Sequence, residues 1–310
     1  MAEVLTLNQA FTAAAQVLRQ GGIETPELDA RLLLCHAAGL SHEAYIARSR
    51  EALQPATRVR LDAGLARRLK HEPVARIVGT REFYGRKFHL DPHALDPRPD
   101  TETLIETALA HLARKGLRDS PLKLLDLGTG TGCILITLLA ELPRARGLGT
   151  DMSCGALACA AANACRLGVG PHAAFVAADW LDAVEGKFDL ILSNPPYLAS
   201  GEIAALADEV AAFDPILALD GGPDGLDAYR RIAARAGDVL AEDGSEAEIG
   251  PGVCYVIEPG HDAWVQECGG GGLGGMRRPR ALCVRACHGG RPAAVLRSGA
   301  AAGRRLPSRA

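Results

Sequence analysis

Asn194-Pro195-Pro196-Tyr197 closes the apolar run Phe188-Asp189-Leu190-Ile191-Leu192-Ser193, which reads as a buried strand ending at the tetrapeptide. Two consecutive prolines donate no backbone hydrogen bonds and hold φ fixed, so the chain leaving that strand is stiff and extended. A stiff turn at a strand end holds the Asn194 amide, the Pro195 carbonyl and the Tyr197 ring in set directions. That arrangement suits the grip on a planar amide or amine. Two carbonyl oxygens each accept one N–H, and an aromatic ring covers the flat face. The tetrapeptide taken alone reads equally well as a strand-terminating turn, since Asn-Pro is a frequent turn starter.

A second motif lies about sixty residues upstream. Leu124-Leu125-Asp126-Leu127 runs into Gly128-Thr129-Gly130-Thr131-Gly132 and then into the apolar segment Ile134 to Leu139. Strand, glycine turn and helix in that order make a nucleotide-type loop, because glycines let backbone approach a ligand and a helix start offers free N–H groups. The spacing is Gly-x-Gly-x-Gly, not the Gly-x-Gly-x-x-Gly of a dinucleotide site, and such turns also serve packing alone. A further strand over Ala145 to Gly149 ends at Asp151, about twenty positions past the loop, where ribose hydroxyls are held. Asp151 can equally be the N-cap of the alanine-rich helix Gly155 to Arg166. A third strand, Ala174-Phe175-Val176-Ala177, ends in Ala178-Asp179-Trp180, and an indole at a strand tip can lie against an adenine face.

These motifs, with three further segments, resemble the release-factor glutamine methyltransferases among the class I S-adenosylmethionine-dependent methyltransferases. The further segments are Arg76-Ile77-Val78-Gly79-Thr80-Arg81-Glu82-Phe83-Tyr84-Gly85, Arg98-Pro99-Asp100-Thr101-Glu102, and Leu217-Ala218-Leu219-Asp220-Gly221-Gly222-Pro223-Asp224-Gly225 with Phe213-Asp214-Pro215 before it. The resemblance spans roughly residues 5 to 250. It implies an α/β fold, a Rossmann-like methyltransferase sheet preceded by a small helical N-terminal domain, and S-adenosyl-L-methionine as cofactor. It also implies N5-methylation of the glutamine in the Gly-Gly-Gln tip of peptide chain release factors. On that pattern Gly128, Thr129, Gly130, Thr131 and Gly132 wrap the methionine part of the cofactor. Asp151 takes the ribose hydroxyls, Asp179 and Trp180 bound the adenine, and Asn194, Pro195, Pro196 and Tyr197 hold the target glutamine. Asp96 and Asp100 depart from the family pattern at positions without a proposed ligand.

The elements that must position these residues follow from the rest of the chain. Its 310 residues suit two domains. Residues 1–75 read as a helical domain. Thr25-Pro26 opens a helix with Leu28, Leu32 and Cys35 on one face and a Glu27–Arg31 pair on another, and Gln54-Pro55 opens a second helix through Leu61, Leu65 and Leu69. Its functional reading is a docking module, beside plain packing. Residues 76–99 read as a linker or β-hairpin, and 100–267 as a methyltransferase domain of alternating strands and helices, hence a parallel, doubly wound sheet.

The formal charge of −3 gives no basic footprint for nucleic acid, so no DNA partner is expected. No apolar run spans a bilayer and no signal-peptide order opens the chain, so a cytoplasmic protein with no membrane partner is expected. Nine cysteines without paired zinc spacing point to buried free thiols and no metal site. Cys283-x-x-x-Cys287-His288 is too isolated to count.

Residues 268–310 lack Asp, Glu, Phe, Tyr and Trp and show no apolar period, which reads as a disordered extension or a departure from the reading frame. Ser245 to Gly250 is more acidic than a central strand should be. Two alternative functions stay open at this stage. One is a nucleic-acid adenine amino-methyltransferase using the same tetrapeptide. The other is a catalytically impaired family member with a disrupted C-terminus.

Overall fold

The computed structural model describes residues 5–241, 253–257, 263–267, 287–288 and 291–292. The chain opens with a helical unit: α1 (Leu7–Gln20), α2 (Pro26–Ala38), α3 (His42–Ala47) and α4 (Pro55–Arg68). A capping box starts α1, where the Thr6 hydroxyl accepts from the Gln9 N–H and the Gln9 side chain accepts from the Thr6 N–H. Leu18, Leu33, Leu34, Leu61 and Leu65 meet in the core between α1, α2 and α4.

The buried face of α2 is Ala30, Leu33, Leu34 and Ala37. Leu28 and Leu32 instead face outward, 44% and 43% exposed, while Cys35 is half-buried against the edge of the core. The expected Glu27–Arg31 pair is not formed. Glu27 meets Arg19 instead, because the end of α1 lies against the start of α2. Helix α4 stops at Arg68, one residue short of Leu69.

Residues 74–98 form a short helix α5 (Val74–Val78) and a hairpin of β1 (Thr80–Phe83) and β2 (Arg86–His89), followed by an irregular stretch. Tyr84 and Gly85 take φ of 49° and 66° in the two-residue turn, and Glu102 accepts the Tyr84 N–H at 2.8 Å. Phe83 and Phe88 pack edge to face and are fully buried against the sheet's helical layer.

The remaining elements are α6 (Glu102–Arg114), β3 (Lys123–Leu127), α7 (Cys133–Glu141), β4 (Arg146–Asp151), α8 (Cys154–Arg166), β5 (Ala173–Ala177), β6 (Leu190–Ser193), α9 (Asp208–Ala211), α10 (Asp227–Val239), β7 (Val253–Ile257) and β8 (Ala263–Glu267). The strands make one sheet in the order β5-β4-β3-β6-β7-β8, parallel throughout except for antiparallel β8. The inner strands are apolar at successive positions because both faces are covered. Leu124, Leu190 and Leu192 join the core with α6 and α7, while Leu125, Leu127 and Ile191 join that with α10. The chain leaves β3 toward β4 and β5, then returns to β6 on the other side of β3. That reversal places a crevice at the C-terminal ends of β3 and β6.

Ser245 to Gly250, the side chains of Cys283, Cys287 and His288, and most of the 268–310 tail lie outside the described residues. Within the tail, Cys287–His288 pairs with Arg291–Pro292. The cysteines do not share one environment. Cys133 and Cys159 are buried, the Cys133 thiol being pushed up to about 12 by burial, whereas Cys154 and Cys165 are exposed on α8.

Candidate active site

Leu127 of β3 and Ser193 of β6 are register partners, and the Ser193 hydroxyl donates to the Leu127 carbonyl at 2.8 Å. The glycine loop and Asn194 therefore leave the sheet side by side. Gly128, Gly130 and Gly132 take φ of 69°, 55° and 79°, a region that side chains with a Cβ rarely adopt. The three glycines have different tasks. A Cβ on Gly130 would meet nothing within 4 Å, so its backbone is bare toward the crevice, and a Cβ on Gly128 would sit 3.5 Å from the Trp180 ring. A Cβ on Gly132 would stand 2.6 Å from Ile136 Cδ1, so this glycine seats α7.

The loop is fixed from beneath and from the side. Thr129 N–H donates to the Thr150 carbonyl at 2.8 Å, and Gly130 N–H donates to Asp151 Oδ2 at 2.9 Å. Asp151 Oδ1 accepts the Ser153 N–H at 2.9 Å. The N-cap of α8 is Ser153, whose hydroxyl accepts from Ala156 N–H, so Asp151 braces the loop and is not the helix cap. Beneath the loop lies Asp126, fully buried, with Oδ2 accepting the Thr129 hydroxyl at 2.6 Å and Oδ1 lacking a hydrogen-bond partner. Burial raises its carboxyl to about 7, the Thr129 bond opposes that, and the nearby Asp151 charge adds to it.

Loop, strand tips and linker enclose a cavity of about 320 Å³. It brings together Gly128, Thr129, Gly130, Thr131, Asp151, Trp180, Asn194 and Pro196. Pro195 and Tyr197 are not on its wall; Tyr197 packs against the core around α10. Gly132 is also off the wall. Asp179 lies between two wall residues, Ala178 and Trp180, with Oδ2 held by Arg231 at 2.6 Å and Oδ1 buried without a hydrogen-bond partner.

The sequence reading missed two further parts of the wall. One is the irregular stretch Pro92 to Arg98, and the other is Pro215, Leu217 and Ala218. Neither carries a helical or strand period. It also missed Thr101, which is buried, lines the cavity, and accepts the Asn194 Nδ2–H at 3.2 Å. That bond spends the amide's donor side on the protein and leaves Asn194 Oδ1 as a free acceptor. The only forewarning of it was the place of Thr101 in the Arg-Pro-Asp-Thr-Glu segment.

A bare-glycine cradle, a carboxylate at the adjacent strand tip and an indole over the glycine fit a nucleoside carrying a ribose diol. Set at the switch point of a parallel sheet, this defines a Rossmann-like S-adenosylmethionine-dependent methyltransferase. A family model described as methyltransferase small domain matches residues 101–212, and one described as PrmC N-terminal domain matches residues 9–79.

Several curated relatives carry the name release factor glutamine methyltransferase. That of Rhodospirillum rubrum is 49% identical over 80% of this chain and 75% of its own length. Those of Bradyrhizobium diazoefficiens and Cereibacter sphaeroides are each 46% identical, over 82% and 81% of this chain and 85% and 84% of theirs. The chain belongs to the release factor glutamine methyltransferase family.

Proposed function

We propose that this protein methylates N5 of the glutamine in the Gly-Gly-Gln tip of peptide chain release factors, using S-adenosyl-L-methionine, and that it acts in the cytoplasm without a DNA partner. The observation that carries this reading is Asn194 at the end of β6, its donor side held by Thr101 and its acceptor side free beside the glycine cradle. Among the described residues no helix is long and apolar enough to cross a membrane.

Bound S-adenosyl-L-methionine supplies an electrophilic methyl carbon on a sulfonium. The backbone of Gly128 to Thr131 would hold its methionine part, Asp151 would accept from its ribose hydroxyls, and Trp180 with the free oxygen of Asp179 would bound its adenine. Gly132 serves by seating α7 beneath them. The acceptor side is the harder chemical problem. A carboxamide nitrogen is a poor nucleophile because its lone pair is delocalised into the carbonyl. Asn194 Oδ1 would accept one amide hydrogen and the Pro195 carbonyl, although Pro195 is set back from the cavity wall, the other, which would turn the nitrogen lone pair toward the methyl carbon and stabilise positive charge developing on nitrogen. Pro196 keeps the turn extended, and Tyr197, anchored in the core, fixes where the chain goes next. Formation of the N–C bond would break the sulfonium C–S bond and leave the neutral thioether, after which the cationic nitrogen would lose one proton to solvent. Proximity alone can supply ~7–11 kcal/mol when reactants are well oriented, so a rate built on geometry is sufficient.

The experiment is methyl transfer from radiolabelled cofactor to a purified release factor. Label should enter the native factor and fail to enter one whose tip glutamine is replaced by alanine. Label appearing in adenine of an oligonucleotide, and not in the factor, would instead establish the nucleic-acid reading.

A further inference from the structure

We infer that Asp214 is a positioning residue for the methyl-acceptor end of the cavity, holding a roof segment against the acceptor tetrapeptide from elements of the N-terminal half. This rests on the glutamine-methyltransferase reading above.

Pro215, Leu217 and Ala218 line the cavity, and Asp214 immediately precedes them. Both of its oxygens are taken. Arg76 of α5 donates to Oδ1 at 2.5 Å, and Arg98, next to the start of the Pro99–Thr101 turn, donates to Oδ2 at 2.6 Å. The Arg76 and Asp214 side chains are 5% and 3% exposed, so this contact is shielded from water. The same guanidinium also holds the linker, Nη1 donating to the Asp91 carbonyl and Nη2 to the Ala94 carbonyl at 2.8 Å each, while its Nε is buried without a hydrogen-bond partner. One side chain from the N-terminal half thus contacts both the roof and the stretch that carries the wall residues Pro92 to Arg98.

The other edge of the roof is tied to the acceptor motif. Leu198 N–H donates to the Leu219 carbonyl at 3.1 Å, Gly221 N–H returns to the Leu198 carbonyl at 2.8 Å, and Ser200 N–H reaches the Gly222 carbonyl at 2.9 Å. This ladder begins one residue after Tyr197. Arg98 lies three residues from Thr101, the partner of Asn194. The clamp therefore stands at the Asn194 end of the cavity. A second link, Arg68 to Glu209 at 2.7 Å, also joins the helical unit to this segment, but Glu209 is 40% exposed and water weakens the pair. Asp214 is the fixed point.

The roof presents exposed apolar side chains: Ile216 is 59% exposed, and Leu217, at the cavity rim, 72%. At the mouth of a site that must take in the tip of a protein loop, they suit the backbone and small side chains flanking the reacting glutamine. Loss of the Asp214 charge leaves two arginines facing an amide and frees the roof to shift. Loss of the Leu217 side chain removes the contact without touching the clamp.

The test is steady-state methyl transfer to an intact release factor by the native chain, Asp214→Asn and Leu217→Ser, with cofactor affinity measured by calorimetry on each. We expect KM for the factor to rise about tenfold or more in Asp214→Asn and by a smaller factor in Leu217→Ser, with cofactor Kd within about twofold. Leu217 is exposed, so its variant stays informative if Asp214→Asn does not fold. Unchanged KM in Leu217→Ser, or cofactor Kd rising in step with KM in Asp214→Asn, overturns the inference. A lower melting midpoint with native kinetic constants does so as well, because it makes the clamp merely structural. A native chain that transfers no methyl group to the factor overturns the functional reading together with this one. A native chain that does so beside kinetically unaffected variants overturns this one alone.

Discussion

Replacing Thr101 by valine isolates the step on which the acceptor geometry depends. The Thr101 hydroxyl accepts the Asn194 Nδ2–H at 3.2 Å, and Thr101 is 4% exposed. Valine keeps the branched shape and deletes only the oxygen. The Asn194 amide then loses the bond that distinguishes its two orientations, and the flipped one turns an N–H toward a substrate that can only donate there. A neutral hydrogen bond contributes ~0.5–1.5 kcal/mol net, so turnover should fall about 2- to 13-fold. A donor left buried without a partner costs ~1–3 kcal/mol and could carry the loss further. The assay is single-turnover methyl transfer at saturating cofactor, with cofactor affinity measured by calorimetry. On the residual rate of Asn194→Ala, Thr101→Val should add almost nothing, because both act through one amide. Full additivity of the two substitutions, or a loss confined to cofactor affinity, would refute the argument that Thr101 works through Asn194.

Asn194→Ala should cut turnover to a small residual rate while cofactor affinity stays within about twofold, and equal losses in both would assign Asn194 to the cofactor pocket. Asp151→Ala should weaken cofactor binding by ~1.5–3 kcal/mol, roughly 10- to 150-fold by calorimetry, since it removes a charged acceptor as well as the brace on Gly130. Unchanged affinity would leave Asp151 as a loop brace alone. Asp126→Asn tests the buried carboxyl. The folded chain keeps its proton up to about 7, whereas the unfolded chain releases it near 3.8. Stability from this group is therefore complete below about pH 4 and is lost as pH rises toward about 7, an effect on the order of 4 kcal/mol. Denaturant melts of the unliganded protein should show that decline in the native chain and a flatter profile in Asp126→Asn, and parallel profiles would contradict it.

What was legible in the sequence is what local backbone chemistry writes there. The glycine loop was readable because positive φ demands glycine, the acceptor turn because paired prolines stop a strand, and the strand–helix alternation because buried strands are short apolar runs. Contacts between distant residues left no such trace. Thr101 and Asn194 are 93 positions apart, and Arg76 and Asp214 are 138 apart. Spacing alone also misjudged α2. Leu28, Leu32 and Cys35 recur at helical intervals, yet Ala30, Leu33, Leu34 and Ala37 do so equally, and packing against α1 and α4 decided for the second set. Ser153 displaced Asp151 as the cap for a similar reason. Both sit ahead of α8, and the glycine loop had a use for the carboxylate that a helix start did not.

The division of labour within the cavity follows from the reactivity of its two sides. A sulfonium methyl is already electrophilic, so the donor side asks mainly to be held. On the proposed reading the glycine-loop backbone, one carboxylate and one indole on the tips of β3, β4 and β5 do that. The amide nitrogen is unreactive until its hydrogens are engaged, so the acceptor side asks for angular accuracy. Its parts come from β6, the Pro99–Thr101 turn, the linker and the roof, which are far apart in sequence and mostly irregular in structure. Irregular segments are accurate only when their polar groups are tied down. Here Thr101 ties the Asn194 amide, Arg76 ties the carbonyls of Asp91 and Ala94, and Asp214 ties the roof. Precision at the acceptor is thus purchased with long-range polar contacts, and substitutions in the N-terminal half should reach turnover before they reach cofactor affinity.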